Sequence, residues 1–192
     1  MKHLKMWGLV SLMTAIGMLA GAGTASAAII ESGSGTQYKA GTQISAASEG
    51  TTEFHTVFGS INCNSFSLAG TTTNDGSPGT NVNVAISSLA WSGCNAIVVV
   101  LANGSLSIEP LSGGNAAIYS TGTEVTIEYL GFHCIFKTNN TKIGTLTGGT
   151  PATLDIQAQI PRTGGRSGLF CGSSGVLTGS LAVSNPSSLV TT

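Results

Sequence analysis

Four cysteines, Cys63, Cys94, Cys134 and Cys171, constrain this chain more than any other feature, because they sit in a pattern that is written twice. The first copy runs from Cys63 through a turn cluster and an alternating strand to Cys94, then into Val100-Leu101, Gly104-Ser105-Leu106 and Pro110. The second runs from Cys134 to Cys171, then into Val176-Leu177, Gly179-Ser180-Leu181 and Pro186. Four cysteines admit three pairings. If the halves are equivalent, each closes its own loop, which predicts Cys63–Cys94 and Cys134–Cys171. Each bond should join neighbouring strands or strand ends, with Cα atoms about 4.4–6.8 Å apart. No Cys-x-x-Cys or finger-like spacing occurs, and His55 and His133 are the only histidines besides His3, so no metal or redox site is expected.

Paired cysteines belong in an oxidising compartment, and the N terminus agrees with that. Lys2 and Lys5 precede an apolar run from Met6 to about Ala22, and Thr24-Ala25-Ser26-Ala27 ends in small residues. This reads as a signal peptide over residues 1–27 with an Ala-x-Ala site. The run is too short and too interrupted, by Gly8, Ser11, Thr14 and Gly17, to favour an uncleaved membrane anchor. Removing 27 of 192 residues leaves 165, enough for one domain with a real core. Two of the seven basic residues leave as well, so the mature charge is 5 − 8 = −3. Without a basic patch, nucleic acid is excluded as a partner, and no transmembrane span is expected in the mature chain. With only 8% of residues charged, little repulsion opposes self-association.

Alternation then sets the fold class. Val82, Val84 and Ile86 alternate with polar or small residues, as do Val125, Ile127 and Tyr129, and Leu154, Ile156, Ala158 and Ile160. Such period-2 runs are half-buried strands. Ile97 to Leu101 is a continuous apolar run and reads as a strand buried on both faces. Asn74-Asp75-Gly76 and Thr138-Asn139-Asn140 are turns. Sustained helical spacing is absent. The expected fold is all-β: an antiparallel β-sandwich over residues 53–192, with two pseudo-repeated halves and two disulfides, preceded at 28–52 by an extended leader or peripheral strand. An eight-stranded outer-membrane barrel would also alternate. Its aromatic girdles demand more than the one Trp and three Tyr left after residue 27.

Chemistry is sparse. His55 or His133 as base and Asp75 or Asp155 as orienter have no spacing that supports a hydrolytic triad, and Gly165-Arg166-Ser167-Gly168 only approximates part of a nucleophile elbow. Glu124 and Glu128 on one strand face lie about 13–14 Å apart, too far for a glycosidase pair. They read as a solvated face, and His133 as a strand residue facing solvent. No catalytic residue, metal site or cofactor is assigned. The concentrated polar feature is Arg162-Thr163-Gly164-Gly165-Arg166, read as a Gly-rich loop in which Arg162, Gly164, Gly165 and Arg166 form a candidate anion cradle. Trp91 and Tyr129 are candidate aromatics for a glycan or an apolar ligand.

The succession Ile61-Asn62-Cys63, Leu89-Ala90-Trp91-Ser92-Gly93-Cys94, Gly131-Phe132-His133-Cys134, Gly144-Thr145-Leu146-Thr147-Gly148 and Gly179-Ser180-Leu181-Ala182-Val183 resembles small exported bacterial β proteins. It is also distantly similar to the alkane-oxidation activators, which are associated with biofilm matrix and cell-surface adhesion. The resemblance covers roughly residues 55–190, and its marks are framework residues. It implies a secreted or cell-surface protein without catalysis, structural or adhesive, and carries over no site residue. Beside it stand a secreted module binding a glycan or apolar ligand and, third, a hydrolase with a non-standard site.

Overall fold

The computed structural model describes residues 30–32, 35–57, 59–76, 80–166 and 171–191. The expected signal peptide, residues 1–27, lies outside the described residues. The strands are β1 (Ile30–Glu31), β2 (Gln43–Ser48), β3 (Thr52–Thr56), β4 (Gly59–Thr72), β5 (Val82–Cys94), β6 (Ile97–Ala102), β7 (Ser105–Pro110), β8 (Ala116–Thr121), β9 (Glu124–Tyr129), β10 (Phe132–Lys137), β11 (Thr141–Thr147), β12 (Thr153–Arg166), β13 (Ser174–Asn185) and β14 (Val190–Thr191). All their pairings are antiparallel.

Several of these strands are halves of one longer stave. β6 pairs with β9 and β7 with β8, in nearly one register, so β6–β7 and β8–β9 form a single long hairpin. β10–β11 continues it along β12, and β2–β3 lies end to end between β13 and β4. The stave order is therefore β2–β3, β4, β5, β6–β7, β8–β9, β10–β11, β12, β13, and β13 pairs back onto β2 and β3. The ladders close into an eight-stave, up-and-down antiparallel barrel. This ring takes the place of the two facing sheets expected of a sandwich: alternation gives each stave one apolar face, and the ring buries all of those faces against one another. β2, which falls in the expected leader, is part of the ring.

The interior holds the apolar halves of the alternation, among them Ile61, Phe66, Leu68, Ile127, Phe136 and Leu181. Asp155, Gln157 and Gln159 stand outside, as expected. An apolar lumen with a polar exterior is the reverse of the pattern a barrel in lipid requires. Along the outer face, Glu124 pairs with Lys137 at 3.0 Å and Glu128 with His133 at 3.3 Å, each across one β9–β10 rung.

Both disulfides form as expected, Cys63–Cys94 and Cys134–Cys171. They point to an oxidising, non-cytoplasmic location. Cys134 and Cys171 have Cα atoms 5.6 Å apart. The Cα atoms of Cys63 and Cys94 approach to 3.9 Å, closer than expected, because the two residues face each other across one β4–β5 rung. The twin Gly-Ser-Leu segments fall four staves apart. Gly179 sits inside unbroken β13, whereas Gly104 breaks its stave between β6 and β7.

That break is shared by three adjacent staves, at 103–104, 122–123 and 138–140. Gly104 has φ +70°, and a Cβ there would meet the Thr121 carbonyl oxygen at 2.5 Å. Hydroxyls brace the level: Ser120 Oγ lies 2.9 Å from both Thr123 Oγ1 and Thr138 Oγ1, and Thr123 Oγ1 donates to the Asn103 carbonyl at 2.7 Å. Beyond it, β6 leaves the edge of β5. β7 pairs with Val82–Ala85, and the Ile86 amide reaches the Gly104 carbonyl at 3.3 Å, but no ladder joins β6 to the rest of β5. The barrel therefore has a seam, closed at one end by this bond and by the Asn103 side-chain amide, which donates to the Ser87 carbonyl at 2.9 Å, and at the other by the short Cys94–Ile97 turn.

The seam also corrects the reading of Ile97–Leu101. The run is a strand, yet Ile97, Val99 and Leu101 are 60%, 44% and 53% exposed, because a single-layered barrel has nothing outside it to cover an outward row.

Candidate functional site

The lumen is not completely filled. A cavity of about 70 Å³ lies between staves on all sides of the barrel, with Thr52, Cys63, Phe66, Trp91, Val98 and Ile127 among its lining residues. Its walls are overwhelmingly apolar. Alternation puts Phe66 on β4 and Trp91 on β5 on the inner face at one rung, where their rings stack with centroids 4.5 Å apart. On the far side, Phe54 meets Phe136 edge-on at 4.8 Å. Leu89, Trp91 and Val98, which flank the seam, are only half-buried, as is Leu177 on β13, while most other inward residues on the laced staves are buried. The unlaced stretch is thus where the lumen approaches solvent.

Polar groups at the cavity differ in one respect. Ser120, Thr123 and Thr138 satisfy one another and nearby backbone. Thr52 is 2% exposed, and its Oγ1 is the buried side-chain polar atom without a hydrogen-bond partner among the described residues. An unmade hydrogen bond in a dry interior costs about 1–3 kcal/mol. Glu53, which also borders the cavity, is engaged by His55 at 3.0 Å. Sequence reasoning passed over Thr52 because it fell in the expected leader. Its period-2 relation to Phe54 was the signal that would have turned it inward.

Of the two expected aromatics, Trp91 lines the lumen and Tyr129 does not. Tyr129 borders a shallow outer depression with Asn95, Ala96, Ile97 and Leu130, so the fold does not bring the pair together. The expected loop at 162–168 is a strand as far as Arg166, because β10 offers it an edge: Gly164 pairs with Ile135, Gly165 with Cys134 and Arg166 with His133. Arg162 donates through Nε to the Gly172 carbonyl at 2.7 Å, and the Arg166 side chain is outside the described residues. Among the described residues, no three His, Cys, Asp or Glu side chains gather as metal ligands. His55, His133, Asp75 and Asp155 lie on different staves or loops. His55 accepts or shares a proton with Ser60 Oγ at 2.9 Å, and Asp155 accepts from Ser180 at 3.0 Å.

Comparison with family models, with curated proteins and with solved structures found no match for this chain.

Proposed function

We propose that the protein is an exported, non-catalytic binding module that takes an apolar group into its barrel through the β5–β6 seam. The observation that carries this reading is the apolar cavity bordered by half-buried Trp91, Leu89 and Val98 where no ladder joins β5 to β6. Eight-stave barrels have room for side chains or for one small ligand, and apolar cavities of this kind stay dry and accept apolar guests. Methyl-resolved NMR during titration with n-hexane tests it. Shifts at Leu89, Val98 and Ile61 are expected; shifts at none of them would sink the proposal.

A second reading, a structural or adhesive role at the cell surface, draws on the outer face of β6. Ile97, Val99 and Leu101 form an exposed row, and Val99 and Ile135 flank buried Thr126 across successive rungs. A contiguous exposed apolar row is a surface on which proteins associate. Replacing all three residues by Ser would abolish surface attachment or self-association under this reading and leave n-hexane binding intact.

A further inference from the structure

Resting on the lumen as a binding site, we infer that its occupant is a slim apolar molecule with one uncharged hydrogen-bonding group at its leading end, anchored by the Thr52 hydroxyl.

Three observations fix the chemistry. The first is position: Thr52 pairs with Cys63, and Cys63 with Cys94, so Thr52 stands two ladder spacings, roughly 10 Å, from the β5 lip of the seam, and it is met by the leading end of an occupant that has entered the lumen. The second is the free valence. Every other hydroxyl at the cavity has a partner, and Thr52 Oγ1 has none, so it is the place where a guest adds a hydrogen bond without breaking one. The close approach of Gly179, where a Cβ would come within 2.8 Å of Thr52 Cγ2, leaves space on that side for the methyl group. The third is charge. The cavity's lining residues include no Lys or Arg, and Glu53 beside it is acidic, so a carboxylate head would be buried without a counter-ion. An alcohol, ketone or aldehyde meets all three conditions. A plain hydrocarbon fills the walls but leaves the hydroxyl unpaired, and sugars carry too many polar groups to desolvate.

The test compares n-hexane, hexan-1-ol and hexanoate at pH 8 by Trp91 fluorescence and calorimetry on the exported chain. Hexan-1-ol is expected to bind about three- to tenfold more tightly than n-hexane, the worth of one net hydrogen bond, with hexanoate weakest. Thr52→Val should erase the preference for the alcohol and leave n-hexane unchanged or tighter, while Thr52→Ser should keep it. Thr52→Ala serves as a second removal of the hydroxyl if the valine variant does not fold. An alcohol preference that survives loss of the hydroxyl, or equal binding of alcohol and hydrocarbon by the parent protein, overturns the anchor and leaves the lumen reading standing. No binding of any of the three overturns both.

Discussion

The indole of Trp91 lies on the ring of Phe66, centroids 4.5 Å apart and planes 13° from parallel, directly across the β4–β5 ladder. Trp91 flanks the seam, so a guest entering as proposed would pass the pair. Trp91 is also the one tryptophan beyond residue 27, so in a chain lacking residues 1–27 its emission reports on this position alone. Hexan-1-ol should change the intensity and shift the emission to shorter wavelength as water leaves the indole. Trp91→Ala should weaken binding by about three- to tenfold, the scale of one aromatic contact beyond its buried area. Unchanged emission at saturating ligand would count against the portal.

Much of this architecture was legible locally and much was not. Strands at 124–129 and 153–160 announce themselves because period-2 alternation is a property of consecutive residues. The disulfides were legible because the twin pattern supplied a non-local rule, pairing within halves. Closure of the ring was not legible: it depends on β13 meeting β2 and β3, contacts more than a hundred residues apart that leave no local trace. Ile97–Leu101 shows the same limit, since whether an outward apolar row is covered depends on a second layer that this barrel lacks. The seam, and with it the candidate site, follows from a break in three neighbouring staves at once, at 103–104, 122–123 and 138–140, of which only Thr138-Asn139-Asn140 reads as a turn in the sequence.

Cys63–Cys94 and Cys134–Cys171 close loops with sequence separations of 31 and 37. The chain-entropy treatment assigns each about 3–4 kcal/mol. Replacing either pair by Ser should therefore lower unfolding stability by roughly that amount, read by chemical denaturation, and non-reducing peptide mapping of the parent should recover the two bonds as drawn. The Cys63–Cys94 variant has a second expected phenotype. This bond ties the β5 end of the seam to β4, so its loss should speed exchange of Trp91 and Ala90 amides with solvent more than those of β12.

Gly144 tests the laced side of the barrel. It pairs with Ile156 on one side and Ile118 on the other, at the register shift between Lys142 and Gly144, and a Cβ there would lie 2.1 Å from the Asp155 carbonyl oxygen. That neighbour is backbone and cannot rotate away, so either the ladder shifts or the rung breaks. Gly144→Ala is expected to cost about 1–3 kcal/mol, lowering the melting temperature by about 2–4 °C per kcal/mol in a chain of this size. A melting temperature equal to that of the parent would show that the rung is looser than its geometry.

Asp75 gives the fold a pH dependence with a definite sign. Its Oδ1 accepts from the Ala40 amide at 2.6 Å, Lys39 lies 3.5 Å from its other oxygen, and Gln37 donates to its carbonyl, so this residue fastens the segment before β2 to the loop after β4. The Ala40 amide first, with Lys39 adding to it, holds the carboxyl below its ordinary value. A carboxyl whose pKa is lowered by folding stabilises the folded state above the ordinary carboxylate value, and that contribution disappears as the pH falls through the lowered one. Protection of the Ala40 amide against hydrogen exchange should accordingly hold at pH 5 to 7 and fall in acid below the ordinary Asp range near 3.8. In Asp75→Asn the protection should be weaker and flat across the same range. A parent protein whose Ala40 protection stays constant into strong acid would show that the carboxylate does not hold the segment.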